Sequence, residues 1–508
     1  MKTKIILFLL SLLTSVAAEQ PNVVLIYADD LGYGDLSCYG ATKVQTPNID
    51  RLAREGRSFL DAHSPSAVCT PSRYGLLTGE YPFRQGASGS WGPLVHTKGL
   101  IINTDKLTLG RLFKEAGYNT AAVGKWHLGF GKEKADFNKP LRPGPLELGF
   151  DYYFGLSSNN SANPYVYIEN DRVFGWDPSD PLVRMKSNGP LPYSFDEVGR
   201  MQPNRYEGAS KARRIYDNRM TGTLFSEKAV DWIRKEGDQP FFFYYAPPQI
   251  HHPFTPHPRF VGTSQAGMYG DFIHELDWMV GEILDTLDEL SLADKTLVIF
   301  TSDNGGMFNL GGKQAWHKGH HQNGNLLGFK FGAWEGGHRV PFLARWPGRI
   351  KAGSSSNHLL SSLDLLASFA FLLGRELERD EGLDSLNQLE TILRDPIESA
   401  RDQLVLLPRE EKSMALRKGD WVYISSQGDG SGEIGTSKRG GPWAVGYTST
   451  KNSDIGIDGS IRSDAPIEQL YNLKTDPYQT ANIIRDHPRV AAQMRAGLLM
   501  KKNEGSGG

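Results

Sequence analysis

NVVLIYADD, residues Asn22 to Asp30, is an apolar run that ends abruptly in two carboxylates. A run without alternating polar positions fits a strand covered on both faces, as in the parallel sheets of α/β proteins. Further on, TPNIDRLAREG (Thr46 to Gly56) carries helix punctuation: a cap at Thr46, proline at N1 and a stopping glycine. NTAAVG (Asn119 to Gly124), FFFYYA (Phe241 to Ala246) and TLVIFTS (Thr296 to Ser302) repeat the strand pattern. Between the last two, Ile273, Leu276, Val280, Ile283, Leu284 and Leu287 recur at helical spacing and mark a core-facing stripe. The alternation predicts an α/β fold with a large, mostly parallel central sheet sandwiched by helices.

The chain has 508 residues, 39% hydrophobic and 22% charged, which is ordinary globular composition and excludes disorder. A formal net charge of -2 supplies no basic field for phosphate backbones, so no nucleic acid partner is expected. Residues 1–18 place Lys2 and Lys4 ahead of a short apolar run and then Val16, Ala17 and Ala18, the layout of a cleaved signal peptide. The run is too short to span a bilayer, so the expectation is an exported protein, periplasmic or secreted, with no stable membrane insertion. Outside the reducing cytosol its two cysteines, Cys38 and Cys69, have the option of a disulfide.

LLSSLDLLASFAFLLG (Leu359 to Gly374) predicts a last buried helix, after which the text turns charged and irregular. MALRKGDWVYI (Met414 to Ile424) and EQLYNL (Glu468 to Leu473) then alternate. Residues 19–375 therefore read as a catalytic α/β domain, and 376–508 as a C-terminal subdomain with a small antiparallel sheet and a helix. The Gly/Ser-rich stretch Gln427 to Gly441 reads as a mobile loop.

Ligands of open α/β sheets bind beyond the carboxyl ends of the strands. The four apolar runs deliver Asp29-Asp30, Lys125-Trp126-His127, Gln249-Ile250-His251-His252 and Asp303-Asn304 to that edge. Taken singly, each ending has an ordinary reading as a turn, a cap or a solvated group. Together they point to a site. Asp29, Asp30, Asp303 and Asn304 offer only oxygens, which suits calcium or magnesium, whereas zinc prefers nitrogen or sulfur. Lys125, His127, His251 and Lys330 would surround an anion beside that cation, so an anionic ester is the expected substrate. SPSAVCTPSRYGLLTG (Ser64 to Gly79) sets Cys69 before a helix with Pro71 at N1, where free N–H groups favour a negative group. His317, His320 and His321 in AWHKGHHQNGN read either as part of a substrate rim or as a structural or adventitious metal-binding loop. Trp91, in the loop after the Cys69 helix, either stacks on a sugar or packs in a core.

CTPSRYGLLTG resembles the C-x-P-S-R-x-x-L-L-T-G signature of the type I sulfatases, in which a separate maturation enzyme oxidises the cysteine to formylglycine (3-oxoalanine). The resemblance continues through PNVVLIYADDLGYGD, VGKWHLG, TSDNGG, WEGGHRVPFLARWPG and EQLYNLKTDP, and so covers nearly the whole mature chain. It implies an alkaline phosphatase-like fold and a hydrolase of sulfate monoesters, with a sulfated carbohydrate or another sulfate ester as substrate. It implies that Asp29, Asp30, Asp303 and Asn304 hold calcium together with residue 69, that Arg73 steadies that residue, and that Lys125, His127, His251 and Lys330 contact the sulfate. In the implied chemistry the hydrated aldehyde attacks sulfur with Asp303 as base, and His251 protonates the departing alcohol. His127 then takes a proton so that the aldehyde reforms and sulfate leaves.

Two departures stand out: Leu327 occupies a position where the family carries arginine, which bears on substrate preference, and the family's Pro-His-x-Pro run is Ile250-His251-His252-Pro253 here. His251 and His252 are thus both candidates for the acid, with spacing to Pro253 favouring His251. FVGTSQAGMYGD (Phe260 to Asp271) resembles the N-acetylgalactosamine sulfatases. The alternative is a phosphoesterase or phosphonate hydrolase of the same superfamily, against which stands Cys69 inside the full oxidation signature. That signature needs a free thiol, so a Cys38–Cys69 disulfide is not expected.

Overall fold

In the computed structural model the described residues are 20–85, 99–160, 163–183, 193–195, 201–203, 210–237, 239–309, 311–434, 437–438 and 440–505. The expected signal peptide and Trp91 lie outside them. In chain order the strands of the main sheet are β1 (Asn22–Ala28), β2 (Arg57–Phe59), β3 (Asn119–Lys125), β4 (Tyr152–Leu156), β5 (Ile168–Glu169), β6 (Arg172–Val173), β7 (Phe241–Ala246), β8 (Thr296–Ser302), β9 (Phe342–Arg345) and β10 (Ser354–Ser356). Their spatial order is β10-β2-β9-β8-β1-β7-β3-β4-β5-β6. The four apolar runs form an adjacent parallel set, β8-β1-β7-β3, with β4 parallel beyond them. Antiparallel pairing is confined to the flanks, at β9 and at β5–β6.

Helices α1 (Pro47–Glu55), α2 (Cys69–Thr78), α3 (Leu109–Glu115), α4 (Thr221–Glu236), α5 (Met268–Glu289) and α6 (Leu365–Leu372) cover the sheet. Val24, Ile26 and Ala28 of β1 share one core with α1, α4 and α5, while Val23, Leu25 and Tyr27 share the other with α2, α3 and α6. Burial on both faces is the physical reason that β1 reads as a continuous apolar run.

The start of α1 differs from expectation. The Thr46 hydroxyl donates to Asp50 at 2.9 Å instead of capping the helix, and Asp277 of α5 takes that place. Its Oδ1 accepts from the Asn48 and Ile49 N–H groups at 3.0 and 2.8 Å, and its Oδ2 accepts from Asn48 Nδ2 at 2.9 Å. One carboxylate therefore caps α1 and ties it to α5. Asp277→Ala is expected to lower unfolding free energy by about 2 kcal/mol, because it leaves helix-start donors without a partner. Chemical denaturation checks this, and a loss well under half that size contradicts it.

Leu359 to Gly374 is not one helix: a short strand (Leu360–Ser361) and a 3₁₀ turn (Ser362–Asp364) precede α6. Ser361 Oγ accepts from Leu363 N at 3.3 Å, and Asp364 accepts from Ser361 N at 3.3 Å and Leu386 N at 2.9 Å, so local polar bonds outcompete the helix there.

A second sheet, β11 (Gln403–Leu406), β12 (Ala415–Lys418), β13 (Trp421–Ile424) and β14 (Gln469–Asn472), is antiparallel throughout and packs against α7 (Pro488–Gly505). Its core includes Leu327, Trp334 and Leu363 from the main body. Leu327 is buried in that core, so an apolar residue is what its surroundings require. The stretch expected as a mobile loop is packed where it is described: Asp429 is buried, and its carbonyl accepts from Ala333 N at 2.7 Å. Among the described residues no helix is long and apolar enough to cross a membrane.

Candidate active site

The carboxyl ends of β1, β3, β7 and β8 and the start of α2 converge. Asp30 N donates to Asp303 Oδ1 at 3.1 Å, and Asn304 Nδ2 donates to Asp30 Oδ1 at 2.9 Å, which joins the ends of β1 and β8. Asp30 and His127 adopt left-handed backbone angles, φ 61° and 59°, which non-glycine residues keep only where surrounding structure imposes them. Cys69 Sγ lies 3.9 Å from Asp30 Oδ1, and single ligand atoms of Asp29, Asp30, Cys69 and Asp303 all fall within 4.8 Å of one another. Asp30 Oδ2 and Asn304 Oδ1 are buried without a hydrogen-bond partner. Buried polar atoms of this kind require a donor or a cation, and an all-oxygen set selects a hard divalent ion. The residues present fit one.

Three fixed cations face the three carboxylates. Arg73, one turn into α2, sets Nη2 and Nε at 2.8 and 3.1 Å from Asp303 Oδ2 and donates from Nη1 to the Lys125 carbonyl at 3.2 Å. Lys125 Nζ lies 2.7 Å from both oxygens of Asp29, and Lys330 Nζ pairs with Asp30 Oδ1. All these groups are buried, so removing one partner leaves an uncompensated buried charge and is costly. Arg73→Met is expected to lower stability by about 3–5 kcal/mol in chelator-treated protein, since it strands Asp303 without its counter-ion. Denaturation midpoints test this, and a loss under about 1 kcal/mol contradicts it.

Burial pushes the Cys69 thiol up to about 12, so the unmodified side chain is a protonated, poor nucleophile. Burial, reinforced by the Asp29 charge, also raises Asp303. For Lys330, burial opposes the charge but the carboxylates of Asp30, Asp29 and Asp303 hold it raised. His251 is pushed well below the ordinary histidine value by burial and then by the Lys330 charge. Its Nδ1–H donates to the His252 carbonyl at 2.6 Å, and Nε2 faces the cluster, 3.8 Å from Asp30 Oδ2 and 3.3 Å from Asn159 Nδ2. His252, its ring centroid 4.4 Å away, is half-buried.

The histidine segment separates into three environments. His320 is buried, its Nε2 2.7 Å from Asp35 Oδ1, and Tyr269 donates to the other Asp35 oxygen at 2.8 Å. It is a packing residue and not part of a rim. His321 stacks on Trp316 with centroids 3.9 Å apart, and only His317, at the end of a short helix (Gly312–His317), is exposed. Asn323 in the same segment escaped the sequence reading. Its Oδ1 accepts from Gly306 N at 2.9 Å and its Nδ2 donates to the Gly328 carbonyl at 3.0 Å, pinning the Asn304 turn to the Lys330 loop. The only available signal was an asparagine inside a Gly-rich turn. Cys38 and Cys69 are both free thiols.

Residues 21–375 match the protein family described as Sulfatase. The chain belongs to the sulfatase family. It is 37% identical over 500 residues to an N-acetylgalactosamine-6-O-sulfatase of Bacteroides thetaiotaomicron, covering 94% of this chain and 92% of the relative. A human N-acetylgalactosamine-6-sulfatase is 34% identical over 423 residues, covering 81% of this chain and 73% of the relative. A solved Bacteroides thetaiotaomicron sulfatase structure, from a study of the metabolism of multiple glycosaminoglycans, superposes with a TM-score of 0.81 at 36% identity, covering 96% of this chain and all of the other. The fold is accordingly the alkaline phosphatase-like α/β fold, and this sulfatase is a hydrolase of sulfuric esters.

Proposed function

We propose that this sulfatase removes the 6-sulfate of N-acetylgalactosamine units in a sulfated carbohydrate, using residue 69 after its oxidation to formylglycine, beside a calcium ion. The observation that carries the reading is the convergence of Cys69 with Asp29, Asp30 and Asp303 in one buried cluster flanked by Lys125, Lys330 and His251. The substrate rests on the 37% identity to the bacterial N-acetylgalactosamine-6-O-sulfatase along 94% of the chain.

Calcium held by Asp29, Asp30, Asp303 and Asn304 would supply positive charge beside the nucleophile, and magnesium suits the same oxygens. Formylglycine would supply, as its hydrate, a hydroxyl where the thiol stands. Arg73 fixes Asp303, which acts as base. Lys125 and Lys330 turn their ammonium groups to the sulfuryl oxygens, where preorganised charge is worth most in a water-poor site. His251, neutral in the free protein, gains a proton when the anionic ester offsets the Lys330 charge, and Nε2 passes it to the leaving oxygen. His127 removes the proton that releases sulfate. The signal-peptide pattern of residues 1–18 supports a periplasmic or secreted location, and a formylglycine-generating enzyme is the partner needed before the chain is active.

Faster sulfate release from N-acetylgalactosamine 6-sulfate than from its 4-sulfate isomer is the expected result, and the reverse preference contradicts the substrate assignment. Asp30→Ala deletes a charged oxygen ligand, and calorimetric titration with calcium is expected to show affinity lower by about 100-fold, with activity falling in parallel. Unchanged calcium affinity with full activity would overturn the ligand set.

A further inference from the structure

A second buried cluster lies apart from the Asp29, Asp30 and Asp303 group. His63, just after β2, and His338, at the end of a short helix (Glu335–His338), bring their Nδ1 atoms to 3.0 Å. His63 Nε2 is 2.9 Å from Asp61 Oδ1, and His338 Nε2 is 3.1 Å from the Ala333 carbonyl oxygen. The carbonyl of Ala333 only accepts, so His338 carries its ring proton on Nε2, and Asp61 would accept one from His63 Nε2 in the same way. Arg417 Nη1, which can only donate, also lies 3.1 Å from His63 Nε2, so His63 has two arrangements: Nε2–H donated to Asp61, or Nε2 accepting from Arg417 with Nδ1–H donated to His338 Nδ1. In the first arrangement two Nδ1 lone pairs point at each other at 3.0 Å, and a cation between them relieves that; in the second a single N–H···N bond joins the neutral rings.

A shared proton would satisfy only the two nitrogens. Glu335 supplies the third observation: it is buried, its Oε1 has no hydrogen-bond partner, and one of its oxygens lies within 4.8 Å of ligand nitrogens on both histidines. Its other oxygen takes a 3.3 Å contact from Arg339. Burial also pushes His338 down to about 4, which disfavours a proton there. Metal-bound histidines characteristically donate the remaining ring N–H to a carboxylate or a backbone carbonyl, as Ala333 receives it here and Asp61 does in the first arrangement.

We propose that His63 Nδ1, His338 Nδ1 and Glu335 bind a zinc ion as a structural site separate from the catalytic cluster. Two imidazoles and a carboxylate are a zinc-type donor set, unlike the all-oxygen set at Asp29 and Asp30. The ion would clamp the segment leading into Cys69 to the turn whose Gly337 carbonyl accepts from Gly305 N at 2.9 Å, next to Asn304. Through Asp61 it would also engage Arg417 of the second sheet.

The test is elemental analysis of enzyme purified without chelator and supplied with zinc chloride. The expected result is close to one zinc per chain, retained in Asp30→Ala and reduced at least tenfold in His338→Gln. Because His338→Gln can also disturb folding, the wild-type crystal is measured above and below the zinc absorption edge, where an anomalous peak between His63, His338 and Glu335 is expected. Absence of that peak in zinc-soaked crystals overturns the proposal in favour of a shared proton. Zinc lost from Asp30→Ala but kept in His338→Gln overturns it in favour of the catalytic cluster.

Discussion

Cys69→Ala is expected to lower kcat by about 10⁶-fold, the scale on which a covalent hydrolase suffers when its nucleophile is removed. The side chain is buried at the head of α2, and its thiol makes one long contact, 3.9 Å to Asp30. Exchanging it for a methyl group should change stability by no more than about 1 kcal/mol, so the loss is chemical and not structural. Asp29, Asp30, Asp303 and Asn304 keep their arrangement through bonds that do not involve residue 69, such as Asp30 N to Asp303 Oδ1 at 3.1 Å. Calcium affinity should therefore fall far less than activity. Turnover within tenfold of wild type would mean that the attacking group is water and that Cys69 is a packing residue.

The second large effect separates substrates. A sugar alcohol is a strongly basic leaving group and needs the proton that His251 is proposed to give, whereas a nitrophenolate leaves readily without it. General acid catalysis contributes about 10²- to 10⁴-fold, so His251→Ala should lose that factor in kcat/KM on a sulfated sugar and far less on an activated aryl sulfate. Lys330→Ala should behave differently, since loss of a sulfuryl contact hurts both substrates whatever group departs. Equal losses for His251→Ala on both substrates would reduce its role to sulfate binding. A selective loss in His252→Ala instead would move the acid to the neighbouring ring.

What the sequence revealed follows from how each feature is held. β1, β3, β7 and β8 are legible because burial on both faces leaves no polar alternation, and the polar residues at their ends stand out against that background. The flanking strands carry no such signal: β5 and β6 are two residues each, and β9 is antiparallel. Features that join distant segments were hidden. Thr46 looks like a helix cap until Asp277, more than 200 positions on, takes the N–H groups. His320 looks like a rim residue until Asp35, near the other end of the chain, pairs with it. The His63–His338 contact spans 275 positions and leaves no local pattern at all. The proposed catalytic set was readable mainly because its residues sit inside short contiguous motifs at strand ends, which is where an α/β sheet concentrates its chemistry.

Residue 69 is proposed to act as an aldehyde and not as a thiol. Peptide mass spectrometry of residue 69, on preparations made with and without a maturation enzyme, measures the converted fraction, and sulfate release is assayed on the same samples. Specific activity is expected to rise in proportion to the fraction carrying the mass of –CHO in place of –CH₂SH, and to vanish where that fraction is zero. Full activity in a preparation whose residue 69 is entirely unmodified cysteine would contradict it.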